Sequence, residues 1–189
     1  MNRTDLLARL EAHMPRNAHE TAMLARVRRF VEEHEDCFER SLKIGHITGS
    51  AWIVDEDSSH VLLTHHAKLE KWLQLGGHAD GDPDVLRVAL REAREESGLE
   101  EIIPISTAIF DVDIHDIPAR GEEPMHQHYD VRFLLRADRN KPLIVSSESK
   151  ELLWVPLDSI EELNPDDSVR RMAAKTREIG RLLYPGSES

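Results

Sequence analysis

Arg91-Glu92-Ala93-Arg94-Glu95-Glu96-Ser97-Gly98-Leu99 places three carboxylates within five residues. The stretch reads as the end of a helix. Leu86, Ala89, Leu90 and Ala93 recur at i, i+3, i+4 and i+7, the spacing of a buried stripe. Gly98 suits the C-terminal cap. On a helix Glu92 stands one turn from both Glu95 and Glu96, so the three share a face. Like charges at that spacing repel and weaken an isolated helix. A hard divalent cation such as Mg²⁺, which prefers an octahedral shell of oxygens, would reverse that cost. Arg91 and Glu95 are also four apart, within reach of an ion pair.

Upstream, Asp82 suits an N-cap and Pro83 the first helical position. Before them, Trp72-Leu73-Gln74-Leu75 ends at Gly76-Gly77, and the loop His78-Ala79-Asp80-Gly81 follows. Thr48 to Val54 and Val61 to Thr64 read as strands around the polar turn Asp55-Glu56-Asp57-Ser58-Ser59. Downstream, Ile105 to Asp116 alternates, with Phe110, Val112 and Ile114 against Asp111, Asp113 and His115. His126 to Leu135 alternates as well, with His126, His128, Asp130 and Arg132 on one face. These two segments are expected to pair across the loop from Pro118 to Pro124. Leu152 to Val155 reads as a strand, Asp158 to Leu163 as a short helix, and Asp166 opens a last helix.

The first 40 or so residues are helical in pattern: Thr4 to Met14, then a helix opened by Asn17-Ala18-His19-Glu20 with Leu24, Val27 and Val31 at helical spacing. Its apolar stripe could pair two chains as a homodimer. The order of helices, strands, one helix, strands and helix indicates an α/β mixed sheet rather than a strictly alternating doubly wound fold. The expected division is an N-terminal helical extension over 1–44, one domain over 45–184, and a flexible tail over 185–189.

A formal net charge of −12 argues against binding bulk nucleic acid or an anionic membrane through a basic surface. It leaves room for a small phosphorylated substrate, because a metal ion can supply local positive charge. Cys37 is the only cysteine, so no intrachain disulfide forms. No signal-peptide core follows Met1, and no run reaches the roughly 20 apolar residues of a membrane span. A reducing cytoplasm is the expected location.

Gly77, followed by Arg91-Glu92-Ala93-Arg94-Glu95-Glu96-Ser97-Gly98-Leu99, resembles the Nudix box, Gly-x5-Glu-x7-Arg-Glu-U-x-Glu-Glu-x-Gly-U, where U is apolar. Every fixed position is met but one: Pro83 stands where the motif has glutamate, flanked by Asp82 and Asp84. The surrounding order of elements resembles the family's α/β/α sandwich. The resemblance implies a Nudix-type hydrolase, a pyrophosphatase cleaving a phosphoanhydride in a nucleoside diphosphate-linked substrate by attack of water on phosphorus. Bound Mg²⁺ or Mn²⁺ neutralises charge in such a reaction and lowers the pKa of coordinated water. By the same resemblance Glu92 and Glu96 are the first candidates for metal ligands, with the Gly77 carbonyl adding an oxygen. Glu95 is a third ligand, a base or the partner of Arg91, whose role is then structural. The base is otherwise a late glutamate, with Glu148 first and Glu151 second.

Other readings compete. An acidic helix is commonly just a solvated face. The departure at Pro83 favours a non-catalytic Nudix-like domain that senses a nucleotide. An isomerase on the same scaffold would want a cysteine beside Gly76-Gly77-His78, and none is there. His78 and His128 are assigned to substrate contacts in preference to a zinc centre, because the histidine spacing matches no strong zinc pattern. Trp72 and Trp154 are read as packing residues rather than base-stacking ones.

Overall fold

Asn2 opens the first helix, α1 (Arg3–Ala12). Its side chain accepts from the Asp5 N–H while the Asp5 carboxylate accepts from the Asn2 N–H. Asn17 caps α2 (Ala18–Glu33) by accepting from the Glu20 N–H. There follow β1 (Gly45–Val54), β2 (His60–His66), β3 (Lys71–Leu73), β4 (Leu75–His78), α3 (Val85–Ser97), β5 (Ile103–Pro104), β6 (Asp111–Ile117), β7 (His126–Arg136) and β8 (Ser149–Pro156). A 3-10 turn, α4 (Ile160–Leu163) and α5 (Asp167–Leu183) complete the order. The structure is a computed structural model that describes residues 2–67, 70–121, 124–146 and 149–183. The expected tail at 185–189 lies outside the described residues.

The eight strands form one sheet, in which β3-β2-β1-β7-β5 is the main path, with β4 on β1, β6 on β7 and β8 on β2. The Gln127 N–H donates to Ile44 O and the Ala137 N–H to Val54 O. Both numbers rise by ten between these bonds, so β1 and β7 run parallel. β1 with β2, β2 with β3 and β8, and β7 with β5 and β6 run antiparallel. The sheet is therefore mixed and the class α/β, with helices at the N-terminus, as the order of elements implies.

The chain divides into two compact units. The first comprises Met1–Ser50, Gly76–Glu92 and Ser106–Phe133. The N-terminal helices fall inside this unit, together with parts of the sheet. His13 on α1's C-cap reaches the Ile109 carbonyl at 2.9 Å and Glu20 at 2.8 Å, and Arg9 donates to the Thr107 carbonyl. Within the unit β6 pairs β7 in the register Asp111↔Arg132, Asp113↔Asp130, His115↔His128, which is the pairing that the two alternating segments imply.

The second unit comprises Ala51–Leu75, Ala93–Ile105 and Leu134–Ser189. Asp55 follows β1 and organises the turn, accepting from the Ser59 and His60 N–H groups. Trp52 is fully buried, and its indole N–H donates to Thr176 on α5 at 2.9 Å. Val61, Leu62, Leu63, Ile160, Val169 and Met172 are buried in the same unit. Burying such side chains stabilises by roughly 1.5–3 kcal/mol each.

Two details of α3 differ from the sequence reading. Asp84, not Asp82, caps the helix: its carboxylate accepts from the Arg87 N–H and its carbonyl from the Val88 N–H. Pro83 thus lies just outside, while Asp82 is drawn off to pair with Arg87. The buried stripe is Val85, Val88, Ala89 and Ala93, with Leu86 and Leu90 half-buried. This rotates the buried face by about one residue. At the far end Gly98, with φ +71°, donates to the Arg94 carbonyl as a C-cap. Among the described residues no helix is long and apolar enough to cross a membrane.

Candidate active site

The end of β4 and the middle of α3 bring Gly77 against Glu92. A Cβ on Gly77 would lie 2.4 Å from the Glu92 carboxyl carbon and 2.5 Å from Oε2. Only a residue without a side chain leaves that carboxylate where it is. The link is reinforced by Arg91, whose guanidinium donates to the His78 carbonyl at 2.9 Å and pairs with Glu92 Oε1 at 2.9 Å. The partner of Arg91 is therefore Glu92, and not Glu95 as the i,i+4 spacing would have it. The guanidinium turns toward the strand end, where it meets a carbonyl and a carboxylate together, while Glu95 is exposed.

Glu96, four residues on from Glu92 along α3, is buried with 7% of its surface exposed. The rotated buried face explains this, since residues 85, 88–89, 92 and 96 follow one another at helical spacing. Two of the three carboxylates are thus held against the fold and one faces water. Glu148 lies outside the described residues, and Glu151 is exposed on β8.

Strand periodicity builds the other half of the first unit's polar face. His46, Thr48 and Ser50 alternate along β1, and His126, His128, Asp130 and Arg132 along its parallel neighbour β7. Asp130 accepts from Thr48 at 2.9 Å, Ser50 at 2.7 Å and Arg132 at 2.7 Å. Arg132 is fully buried and also donates to Asp111 at 3.1 Å, with Asp113 at 3.7 Å and the His115 ring at 2.7 Å. Burial opposes the guanidinium charge, but Asp130, Asp111 and Asp113 more than offset it, so the Arg132 pKa stands above its ordinary value. Three carboxylates on one guanidinium give a rigid anionic base to this face.

Above that base four imidazoles gather. His78 Nε2 and His128 Nε2 are 3.3 Å apart, as are His126 Nε2 and His128 Nε2. The His46 ring lies 4.8 Å from that of His128 and 5.0 Å from that of His78, centre to centre. Burial lowers the pKa of His78 to about 4 and that of His128 to about 2, with the nearby Arg40 adding to the effect at His78 and the neighbouring imidazoles at both. Both rings are neutral near pH 7. The sequence reading names His78 and His128 but not His46. The alternation that would have found it runs one step further back: a strand begun at Gly45 rather than Thr48 puts residue 46 on the face of Thr48 and Ser50.

The NUDIX domain family matches this chain over residues 46–175. No curated protein sequence matches it. Among solved structures, a C. elegans Ap4A hydrolase binary complex is similar with a TM-score of 0.55 at 17% identity, over 74% of this chain and 98% of that one. E. coli dihydroneopterin triphosphate pyrophosphohydrolase gives 0.55 at 15% identity, over 68% and 92%. The M. smegmatis Nudix hydrolase RenU gives 0.54 at 21% identity, over 77% and 91%. At these identities the likeness is one of fold.

Proposed function

The chain belongs to the NUDIX family of phosphoanhydride hydrolases, and from that premise we propose that it cleaves the pyrophosphate bond of a nucleoside diphosphate-linked substrate with the aid of Mg²⁺ or Mn²⁺. The observation that carries this reading is the Glu92 carboxylate pressed against Gly77 and gripped by Arg91. That contact supports the reading because it sets Gly77 and Glu92, two fixed positions of the resembled motif, side by side.

The carboxylate set fits a hard divalent ion. Glu92 and Glu96 offer only anionic oxygens, the Gly77 carbonyl is an additional oxygen donor, and the Glu92 side chain keeps 16% of its surface exposed. In this reading Glu92 and Glu96 hold the ion. When bound, it supplies positive charge against the phosphates and makes water more acidic. Arg91 fixes the direction of Glu92 and keeps the strand end on the helix. Glu95, the exposed member, takes the proton from the attacking water, unless Glu148 does so. The absence of glutamate at position 83 is met by the neighbouring acids only in part. Asp82 is committed to Arg87 and Asp84 to capping α3, so neither replaces it as a free carboxylate.

The test is turnover on a panel of nucleoside triphosphates, dinucleotide polyphosphates including Ap4A, ADP-ribose, nucleotide sugars and dihydroneopterin triphosphate, with products identified by mass. Glu96→Gln is expected to abolish Mg²⁺-dependent turnover while circular dichroism stays that of the parent. Unchanged turnover in that variant removes Glu96 from the role. Tight nucleotide binding without turnover across the panel would instead establish a nucleotide-sensing domain, which the Pro83 departure favours.

A further inference from the structure

His46, His78 and His128 each offer one ring nitrogen, and these three atoms all lie within 4.8 Å of one another. All three residues belong to the first unit. His46 is brought by β1, His78 by the last residue of β4, and His128 by β7. The convergence is thus set by strand pairing rather than by mobile loops, since β4 and β7 both lie beside β1. We infer that these three histidines bind one borderline-soft divalent transition metal ion of the Zn²⁺ class, distinct from the hard-ion carboxylates of α3, with a fourth position left to an oxygen ligand.

The distances carry the chemistry. Two nitrogens each 2.0–2.1 Å from a shared ion at the tetrahedral angle lie about 3.3–3.4 Å apart. The His78 and His128 Nε2 atoms are separated by 3.3 Å. That separation is long for a hydrogen bond between nitrogens, and hydrogen bonding cannot satisfy the cluster cleanly. His126 Nδ1 lies 3.0 Å from the Pro124 carbonyl, so it carries the ring proton and His126 Nε2 presents a lone pair to His128 Nε2. His128 Nε2 also faces His78 Nε2. One nitrogen with one proton or one lone pair meets two partners. A cation accepts the converging lone pairs at once.

The donor type selects the ion. Three imidazoles and no carboxylate suit Zn²⁺, Co²⁺, Ni²⁺ or Cu²⁺ and discriminate against Mg²⁺ and Ca²⁺. Three protein nitrogens with an open fourth position is also the ligand count of catalytic rather than structural zinc centres. His78 directly follows Gly77, and Arg91 holds the His78 carbonyl. The chain segment that presents this imidazole is therefore the one that carries the box glycine.

The full-length protein, stripped with chelator, is titrated with Zn²⁺ alone by calorimetry in a large excess of Mg²⁺, which fills the hard site. One equivalent is expected to bind regardless of the Mg²⁺. His128→Ala should weaken it by at least about 100-fold, whereas Glu92→Gln should leave it unchanged. Loss of the site in Glu92→Gln with retention in His128→Ala would place the ion on the carboxylates and overturn the inference, as would the absence of a Zn²⁺ site in the parent. Should His128→Ala fail to fold, Co²⁺ in the unmutated protein decides. Intense visible absorption of a four-coordinate ion supports the histidine site, and the weak bands of six-coordinate Co²⁺ exclude it. The readout is binding, so it is independent of whether any phosphoanhydride is cleaved.

Discussion

Phe30 of α2 lies flat against Tyr129 of β7, with ring centres 3.7 Å apart and planes 4° from parallel. Phe30 is buried, and the Tyr129 hydroxyl donates to Gln127 at 3.0 Å. The tyrosine sits on the strand face opposite His128 and Asp130. β7 is thereby clamped on one side by an aromatic stack and on the other by a buried ionic network.

Phe30→Ala is expected to lower unfolding free energy by about 3–5 kcal/mol in urea titration. A double-mutant cycle with Tyr129→Leu should return a coupling of about 0.5–1.5 kcal/mol beyond the lost burial. Additive effects of the two changes would show that the rings merely neighbour each other.

Replacing Arg132 leaves Asp111, Asp113 and Asp130 without their shared cation. Arg132→Leu should cost about 3–5 kcal/mol, because uncompensated buried charge is the dominant penalty. Adding Asp130→Asn to Arg132→Leu removes one of the stranded charges and should recover part of the loss. A second change that deepens the loss would show that Asp130 acts through Thr48 and Ser50 instead.

Gly77→Ala tests the contact on which the hydrolase reading rests. The new methyl group overlaps the Glu92 carboxylate, so the side chain must rotate away. Turnover should fall at least about tenfold, equivalent to roughly 1.4 kcal/mol of transition-state stabilisation, with thermal unfolding shifted only modestly. Parent-like turnover would mean that the position of Glu92 is immaterial.

Cys37 is fully buried, and burial raises its pKa to about 11. At pH 8 the thiolate is a minute fraction, and native protein should resist iodoacetamide. In denaturant, where the pKa returns to the ordinary thiol value, one equivalent should be incorporated. Ready labelling of the native state would reveal local opening around Cys37.

Much of this architecture is legible in the residues themselves, and the failures are instructive. The pairing of β6 with β7, the Gly98 cap and the Asn17 cap follow from alternation and capping chemistry, which are local. The polar faces of those strands are a different matter. Asp111, Asp113, Asp130 and Arg132 alternate with apolar residues as if facing water, yet all four are buried. Periodicity reports polarity, and only tertiary structure reveals that opposite charges have cancelled the cost of removing them from solvent. Asp84 displaced Asp82 as the cap of α3 because Arg87 offered Asp82 a charged partner. His46 escaped notice because glycine and histidine are weak strand formers, and its neighbours come from segments 32 and 82 residues away.

The interleaving of the two units has a consequence for fragments of this protein. The chain passes between them five times, at 50/51, 75/76, 92/93, 105/106 and 133/134. Four of those passages fall inside β1, β4, α3 and β7 rather than in linkers. Neither unit exists as a continuous stretch of polypeptide, so no single truncation isolates one from the other. A deletion series that passes residue 50 from one end, or residue 134 from the other, removes pieces of both, and an insertion meant for a linker has only the passage at 105/106.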